Sequence, residues 1–331
     1  MNATDNGRRI PEFFIVGHFK SGTTALYESL RRHPQIFMPY PKELWYFSPE
    51  LRSRFRRPNA KRPDTWDGYL ALFESAAADQ HLGECSPSYL LSEQAAQRIA
   101  EKRPDAKIIA IFREPASFVR SFHLQLTRNH FEDELDLRRA LEKEPARRRG
   151  EQIPPRCGRP HELLYADHVR YTDQLRRFHD AFGREQVLTL IYEDYRRDNH
   201  ATLRSVHEFL GTDPDTIETV ETQPSRRVRS QRLHDLMSDV SVGRTPMTRL
   251  ARSAVKALTP QRLRRSTMQT ARRNLIYAPT EQANPQLMAD LRERFRPEVE
   301  EFGRYLGRDL TREWGAPVSR SEEQPATPAG D

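Results

Sequence analysis

Three short runs of consecutive apolar residues stand out of an otherwise polar chain: Phe13 to Val16, Ile108 to Phe112 and Val187 to Tyr192. A strand covered on both faces reads as such an unbroken run, whereas a strand with one wet face alternates, so each run predicts a buried parallel strand. A stretch with helical spacing follows each one. Thr24 to Arg32 places Ala25, Leu26 and Leu30 on one face; Ala116 to Thr127 places Phe118, Val119, Phe122 and Leu126; Ala201 to Leu210 places Leu203, Val206 and Leu210. Strands alternating with helices predict an α/β layer fold, with a central, mainly parallel sheet flanked by helices. A shorter run, Leu82 to Cys85, is expected in the same sheet. Tyr165 to Gly183 reads as one long amphipathic helix, and Leu287 to Trp314 as a helix with a GRDLTREW close.

Proline and arginine interrupt this pattern. Pro49 to Asp64 and Lys143 to Pro160, the latter with Pro145, Pro154, Pro155 and Pro160, read as loops around a site. From about residue 316 the chain mixes Ser, Glu, Pro and Thr without periodicity, and a disordered tail over 316–331 is expected. The 331 residues suit one large α/β domain, expected over 10–315. Met1 to Pro11 lacks the apolar core of a secretory signal and no run reaches membrane-spanning length, so a cytoplasmic location is expected. Two cysteines, Cys85 and Cys157, stand in no metal-binding spacing and are expected as reduced thiols. The net charge of +7 would suit nucleic acid if it were evenly spread. Instead, Ser225 to Leu275 holds 13 Lys or Arg against Asp235 and Asp239, an excess of +11 that leaves the remainder at about −4. No nucleic-acid partner is expected.

The first strand runs directly into chemistry. Gly17-His18-Phe19-Lys20-Ser21-Gly22-Thr23-Thr24 is a small-residue loop ending in a helix entry. Such a junction aims backbone N–H groups at one spot, and the helix N-terminus adds partial positive charge there. Gly17 and Gly22 allow close approach of an anion, Lys20 supplies a cation, and Ser21, Thr23 and Thr24 supply hydroxyls. The nucleotide-kinase loop GxxxxGK[ST] needs Lys immediately after its second Gly; here Lys20 precedes Gly22, a poor match to a triphosphate and Mg²⁺ site.

GHFKSGTT resembles the 5′-phosphosulfate loop of sulfotransferases that use 3′-phosphoadenosine-5′-phosphosulfate (PAPS), and Ala25-Leu26 after the two threonines is similar to the branch that includes the heparan sulfate sulfotransferases. The resemblance implies a P-loop-like three-layer fold, with PAPS as co-substrate, 3′,5′-bisphosphoadenosine (PAP) as product and no metal. PAPS carries a 3′-phosphate that ATP lacks, so a second anion site is needed. Arg113 ends the strand Ile108 to Phe112, and Ser121 lies eight residues on, about two helical turns away. An Arg and a Ser so placed can converge on one phosphate. Their spacing, RxPxxxxxS, resembles the family's 3′-phosphate motif. Leu190 to Asp194 resembles a family segment whose Tyr approaches the adenine, here Tyr192; a half-buried Tyr192 beside a capping Asp194 is the plain alternative. Ser225-Arg226-Arg227-Val228-Arg229-Ser230 stands where the family has a basic loop over the nucleotide, with Arg229 chosen for the 3′-phosphate; a solvated charge run is the other reading.

Sulfuryl transfer needs a group to take the acceptor's proton and another to offset charge on the leaving oxygen. Lys20 suits the second task. For the first, Pro41 to Phe47 resembles the KExxFF segment of the heparan sulfate branch, which implies Glu43 as catalytic base and Lys42 as auxiliary cation. Trp45, Tyr46 and Phe47 could desolvate Glu43. His18 and His123 are rival bases, since a histidine serves in the aryl and steroid branch. Glu84 to Tyr89 resembles the family's EKxPxYF segment, with Cys85 in place of Lys; the missing charge implies a smaller acceptor than a long sulfated glycan.

Thr245 to Leu275 has apolar residues at helical spacing among Arg and Lys. Within a basic lid or insert over about 225–275, it could cover the site, rest on an anionic membrane surface or receive an acidic carrier protein. The expected function is transfer from PAPS to a hydroxyl of a small-molecule, glycan or lipid acceptor. The alternatives are a P-loop nucleotide kinase, requiring ATP and Mg²⁺, and a non-catalytic anion-binding or membrane-surface adaptor.

Overall fold

The computed structural model describes residues 4–5, 7–55, 62–216 and 284–315, and the backbone alone of 226–228 and 277–279. Arg229, most of the basic segment and the tail therefore lie outside the described residues.

Two short strands, β1 (Thr4–Asp5) and β2 (Arg8–Arg9), form an antiparallel pair ahead of the main sheet. The main sheet contains β3 (Phe13–Gly17), β4 (Ile36–Phe37), β5 (His81–Cys85), β6 (Lys107–Phe112) and β7 (Val187–Ile191). All are parallel, in the order β4-β5-β3-β6-β7. The three long apolar runs and Leu82 to Cys85 thus become the four inner and edge strands expected. β4 was not foreseen: two residues carry no periodicity. Tyr192, expected in the last strand, instead opens a helix.

Alternate side chains of the central strands enter two cores. Phe14, Val16, Ile108, Ala110 and Phe112 join the larger one, with helices α3 (Ala95–Lys102), α4 (Pro115–Arg128) and α8 (Tyr171–Phe182). Phe13, Ile15, Ile109 and Ile111 face the other way, onto α1 (Thr23–Arg32) and α10 (Asn199–Leu210). Both faces are dry, which is why the strand sequences lack alternation.

Several expected segments are subdivided. The stretch from Tyr165 is two helices, α7 (Tyr165–His168) and α8, parted at Val169 and Arg170. The closing segment is three helices, Pro285–Arg294, Arg296–Leu306 and Leu310–Gly315, with Gly307 at φ 69° turning the chain between the last two. The loop expected over 143–160 begins as α6 (Glu144–Arg148), because Pro145 sits in the first turn, where its missing N–H costs nothing. Pro49–Leu51, at the head of the other loop, is a 3₁₀ turn. Strand β8 (Arg226–Val228) pairs with β9 (Tyr277–Pro279) and packs against α4. Both cysteines are buried and unpaired. No helix among the described residues is long and apolar enough to cross a membrane.

Candidate active site

Open parallel sheets bind ligands beyond the carboxyl ends of their strands, and four segments meet there. Residues 18–22 follow β3, Arg113 follows β6 and Tyr192 follows β7. The segment carrying Glu43 is tied to the end of β5 by its N–H, which donates to the Cys85 carbonyl at 2.8 Å.

The loop after β3 is shaped by two left-handed residues, Lys20 at φ 58° and Gly22 at φ 83°. A Cβ on Gly22 would meet the rings of Tyr192 and Tyr195 at 3.2 Å, so glycine is required on both counts. Gly22 caps α1 without any side-chain hydrogen bond, and the first turn holds no acid. The first N–H groups of α1 therefore remain available to an anion. Helix α4 is the opposite case: its Glu114 cap accepts from Ala116 N at 3.0 Å and Ser117 N at 2.8 Å.

Cations converge on the uncapped end. Burial pulls the Lys20 ammonium down to about 8, and the charges of Arg128, Arg113 and Lys42 push the same way. Arg113 donates through Nη1 to the Lys20 carbonyl at 3.0 Å and lies over the Tyr192 ring at 4.7 Å. Lys42 Nζ donates to Thr24 Oγ1 at 2.8 Å and stands 3.5 Å from the Glu43 carboxylate. Buried polar atoms are normally paired, yet Ser121 Oγ and Arg113 Nε have no partner among the described residues. Lys20, Lys42, Arg113 and Tyr192 are thus brought together, with Ser121 on the helix that continues from Arg113. Ser21 is fully buried, its hydroxyl donating to the Phe19 carbonyl at 3.2 Å, so it shapes the loop from inside.

The Glu43 segment rests on a buried carboxylate. Glu84, 1% exposed, accepts from Tyr69 at 2.5 Å, Ser86 at 2.6 Å and Tyr89 at 2.6 Å. In turn Ser86 Oγ accepts from Trp45 N and Tyr89 Oη from Phe47 N, both at 3.3 Å. These bonds hold Glu43 (φ 66°) and Trp45 (φ 60°) in conformations that side chains disfavour. Cys85 is buried under the same segment, with Sγ 3.9 Å from the Thr23 carbonyl and burial raising its thiol to about 12.

The histidine side chains turn into the interior. His18 is enclosed by Phe118, Tyr171 and His168, and burial lowers it to about 4. His123 bonds the Glu134 carbonyl through Nε2 at 2.8 Å, which commits it to holding the chain after α4. Asp194 does not cap a helix: within α9 (Tyr192–Arg197) it pairs with Arg308 at 2.7 Å. Arg128 was missed, although it lies seven residues from Ser121 and hence on the same face of α4.

The sulfotransferase domain model matches residues 11–245. Human bifunctional heparan sulfate N-deacetylase/N-sulfotransferase 3 is 32% identical over 215 residues, 62% of this chain and 23% of that protein. Mouse bifunctional heparan sulfate N-deacetylase/N-sulfotransferase 4 is 31% identical over 216 residues, again 62% and 23%. The chain thus spans under a quarter of these curated relatives. A solved sulfotransferase from Alicyclobacillus acidocaldarius superimposes with a TM-score of 0.65 at 26% identity, covering 93% of this chain and 99% of that one. With 235 of its 331 residues inside the matched domain, the chain belongs to the sulfotransferase family.

Proposed function

We propose that the chain transfers a sulfuryl group from PAPS to a hydroxyl of a small-molecule, glycan or lipid acceptor. The observation carrying this reading is the pairing of two anion-seeking places beyond adjacent strands. One is the uncapped start of α1 with Lys20. The other is Arg113 with the Ser121 hydroxyl, which has no partner among the described residues. PAPS supplies a phosphosulfate for the first and a 3′-phosphate for the second, with the Tyr192 ring beside them for the adenine.

Glu43 accepts the proton of the attacking oxygen, while Lys20 and the α1 amides offset charge on the phosphate oxygen that departs from sulfur. Lys42, bridging Thr24 and Glu43, adds positive charge between these groups. Glu43 is favoured over histidine because His18 is fully buried, with burial lowering its pKa to about 4, and His123 Nε2 is held by the Glu134 carbonyl. The N-sulfotransferase relatives favour an amine as the second reading for the attacking atom.

Calorimetric titration with PAP in EDTA tests the donor half. PAP is expected to bind without Mg²⁺, and Lys20→Ala and Arg113→Ala each to weaken it at least tenfold. Mg²⁺-dependent ATP binding with no PAP binding identifies a kinase instead.

A further inference from the structure

Two half-buried cations, Lys20 and Arg128, have side chains that make no hydrogen bond or ion pair among the described residues. Arg128 ends α4, where any cation gains from the last carbonyls of the helix. That gain does not depend on which way around the helix end the charge points. Yet of the three cations acting on the Lys20 ammonium, Arg128 is felt most strongly, ahead of Arg113 and Lys42, and none of the charges acting on it among the described residues is negative. Like charges gathered in a half-buried place disfavour one another, so the arrangement is costly until an anion enters it.

The packing explains why these groups converge. The Phe19 ring stacks on Phe122 of α4 at 5.6 Å, which lays the loop after β3 against that helix. Arg113, just ahead of α4, donates to the Lys20 carbonyl at 3.0 Å. Ser121 and Arg128 are seven residues apart and share one face of α4, with Arg128 about 10 Å farther along the axis from the Arg113 end.

PAPS brings three anionic groups to this place. The 3′-phosphate meets Arg113 and Ser121, and the 5′-phosphate meets the uncapped amides of α1. The sulfuryl group is the one left with Lys20 alone, and Arg128 is the cation left without an anion.

We propose that Arg128 is a catalytic residue whose guanidinium holds the sulfuryl oxygens of PAPS opposite Lys20. In the transfer, a lone pair of the acceptor oxygen forms the new O–S bond and the acceptor's proton passes to Glu43. The bond from sulfur to the 5′-phosphate oxygen breaks, and its electron pair stays on that oxygen. Arg128 keeps the sulfuryl oxygens paired with positive charge while the group moves.

The inference rests on the sulfuryl-transfer reading. PAPS and PAP differ only in the sulfuryl group, so calorimetric titration with each, without any acceptor, isolates the contact. Arg128→Gln is expected to weaken PAPS at least tenfold with PAP affinity within twofold, which also certifies its folding. PAPS affinity of the unmodified chain is expected to fall as pH rises through about 8, where Lys20 loses its proton. In Arg128→Gln that fall should move to higher pH, because a neighbouring positive charge no longer disfavours the ammonium, and in Arg128→Lys it should stay in place. Unchanged PAPS affinity, an equal loss of PAP affinity, or a fall that stays near the same pH in Arg128→Gln overturns the assignment. Failure of the unmodified protein to bind PAP overturns the donor reading instead.

Discussion

In its proposed role, Lys20 sets a pH limit that an exposed lysine would not. Its ammonium titrates near 8 in the folded protein because burial and three neighbouring cations disfavour the charge. The form able to offset a leaving oxygen is the protonated one, so kcat/KM for PAPS is expected to fall as pH rises through about 8. Lys20→Arg, whose side chain stays charged, should be slower at neutral pH yet lose this alkaline limb; an unchanged limb in that variant assigns it to another group. Glu43, as the proposed base, bears the opposite burden. General base catalysis contributes about 10²- to 10⁴-fold, so Glu43→Gln should lower kcat by that range in a radiolabel transfer assay while PAP affinity stays within twofold. Near-normal turnover would remove Glu43 from the mechanism. Both residues are candidates from the sequence alone because Lys and Glu stand inside specific local motifs. Arg128 is not: it lies in no motif, and its charge bears on Lys20 only because the turns of α4 put it on the same face as Ser121.

The strands and their following helices were legible because burial on both faces leaves an unbroken apolar run. What escaped were features set by a few bonds: the two-residue β4, the break between α7 and α8, and the support beneath Glu43. That support carries a consequence for the whole segment. Tyr89 donates to Glu84 and accepts from Phe47 N, so it links strand β5 to the chain that holds Glu43 and Trp45 at positive φ. Tyr89→Phe leaves the ring in place but removes both bonds. A hydrogen bond to a charged group contributes about 1.5–3 kcal/mol, and a comparable loss of unfolding free energy is expected in urea titration. Turnover should fall by more than the affinity for PAP, since the displaced group is the proposed base. Equal losses in both place Tyr89 under the nucleotide instead.

Across the molecule, the strand ends that carry the site are fastened by distant parts of the chain. Trp314, in the closing helix, donates through Nε1 to Glu193 at 3.0 Å, and Glu193 accepts from the backbone of Glu114 at 3.2 Å. One carboxylate thereby ties the last described helix to the residues following both Arg113 and Tyr192. On the other flank, Glu132 and Arg147 form a doubly bonded pair at 2.6 and 2.7 Å with both side chains fully buried. Tyr165 adds a third bond to Glu132, at 2.9 Å, joining the end of α4 to α6 and α7. Removing one member of such a pair strands a charge in the interior, which costs about 3–5 kcal/mol, whereas replacing both by neutral groups of similar volume is often harmless. Arg147→Ala should therefore lower unfolding free energy by about that amount in urea titration, and Glu132→Gln with Arg147→Met should recover most of it. The pH dependence has a definite sign. Despite the penalty of burial, Arg147, the Glu134 N–H and Tyr165 depress the Glu132 carboxyl below its ordinary range. Its stabilisation is present above the ordinary carboxylate pKa and is lost as pH falls through the depressed value, because protonation breaks the pair. The neutral double variant should lack that part of the acid transition, and an acid transition identical to that of the unmodified chain would show that other carboxylates govern it.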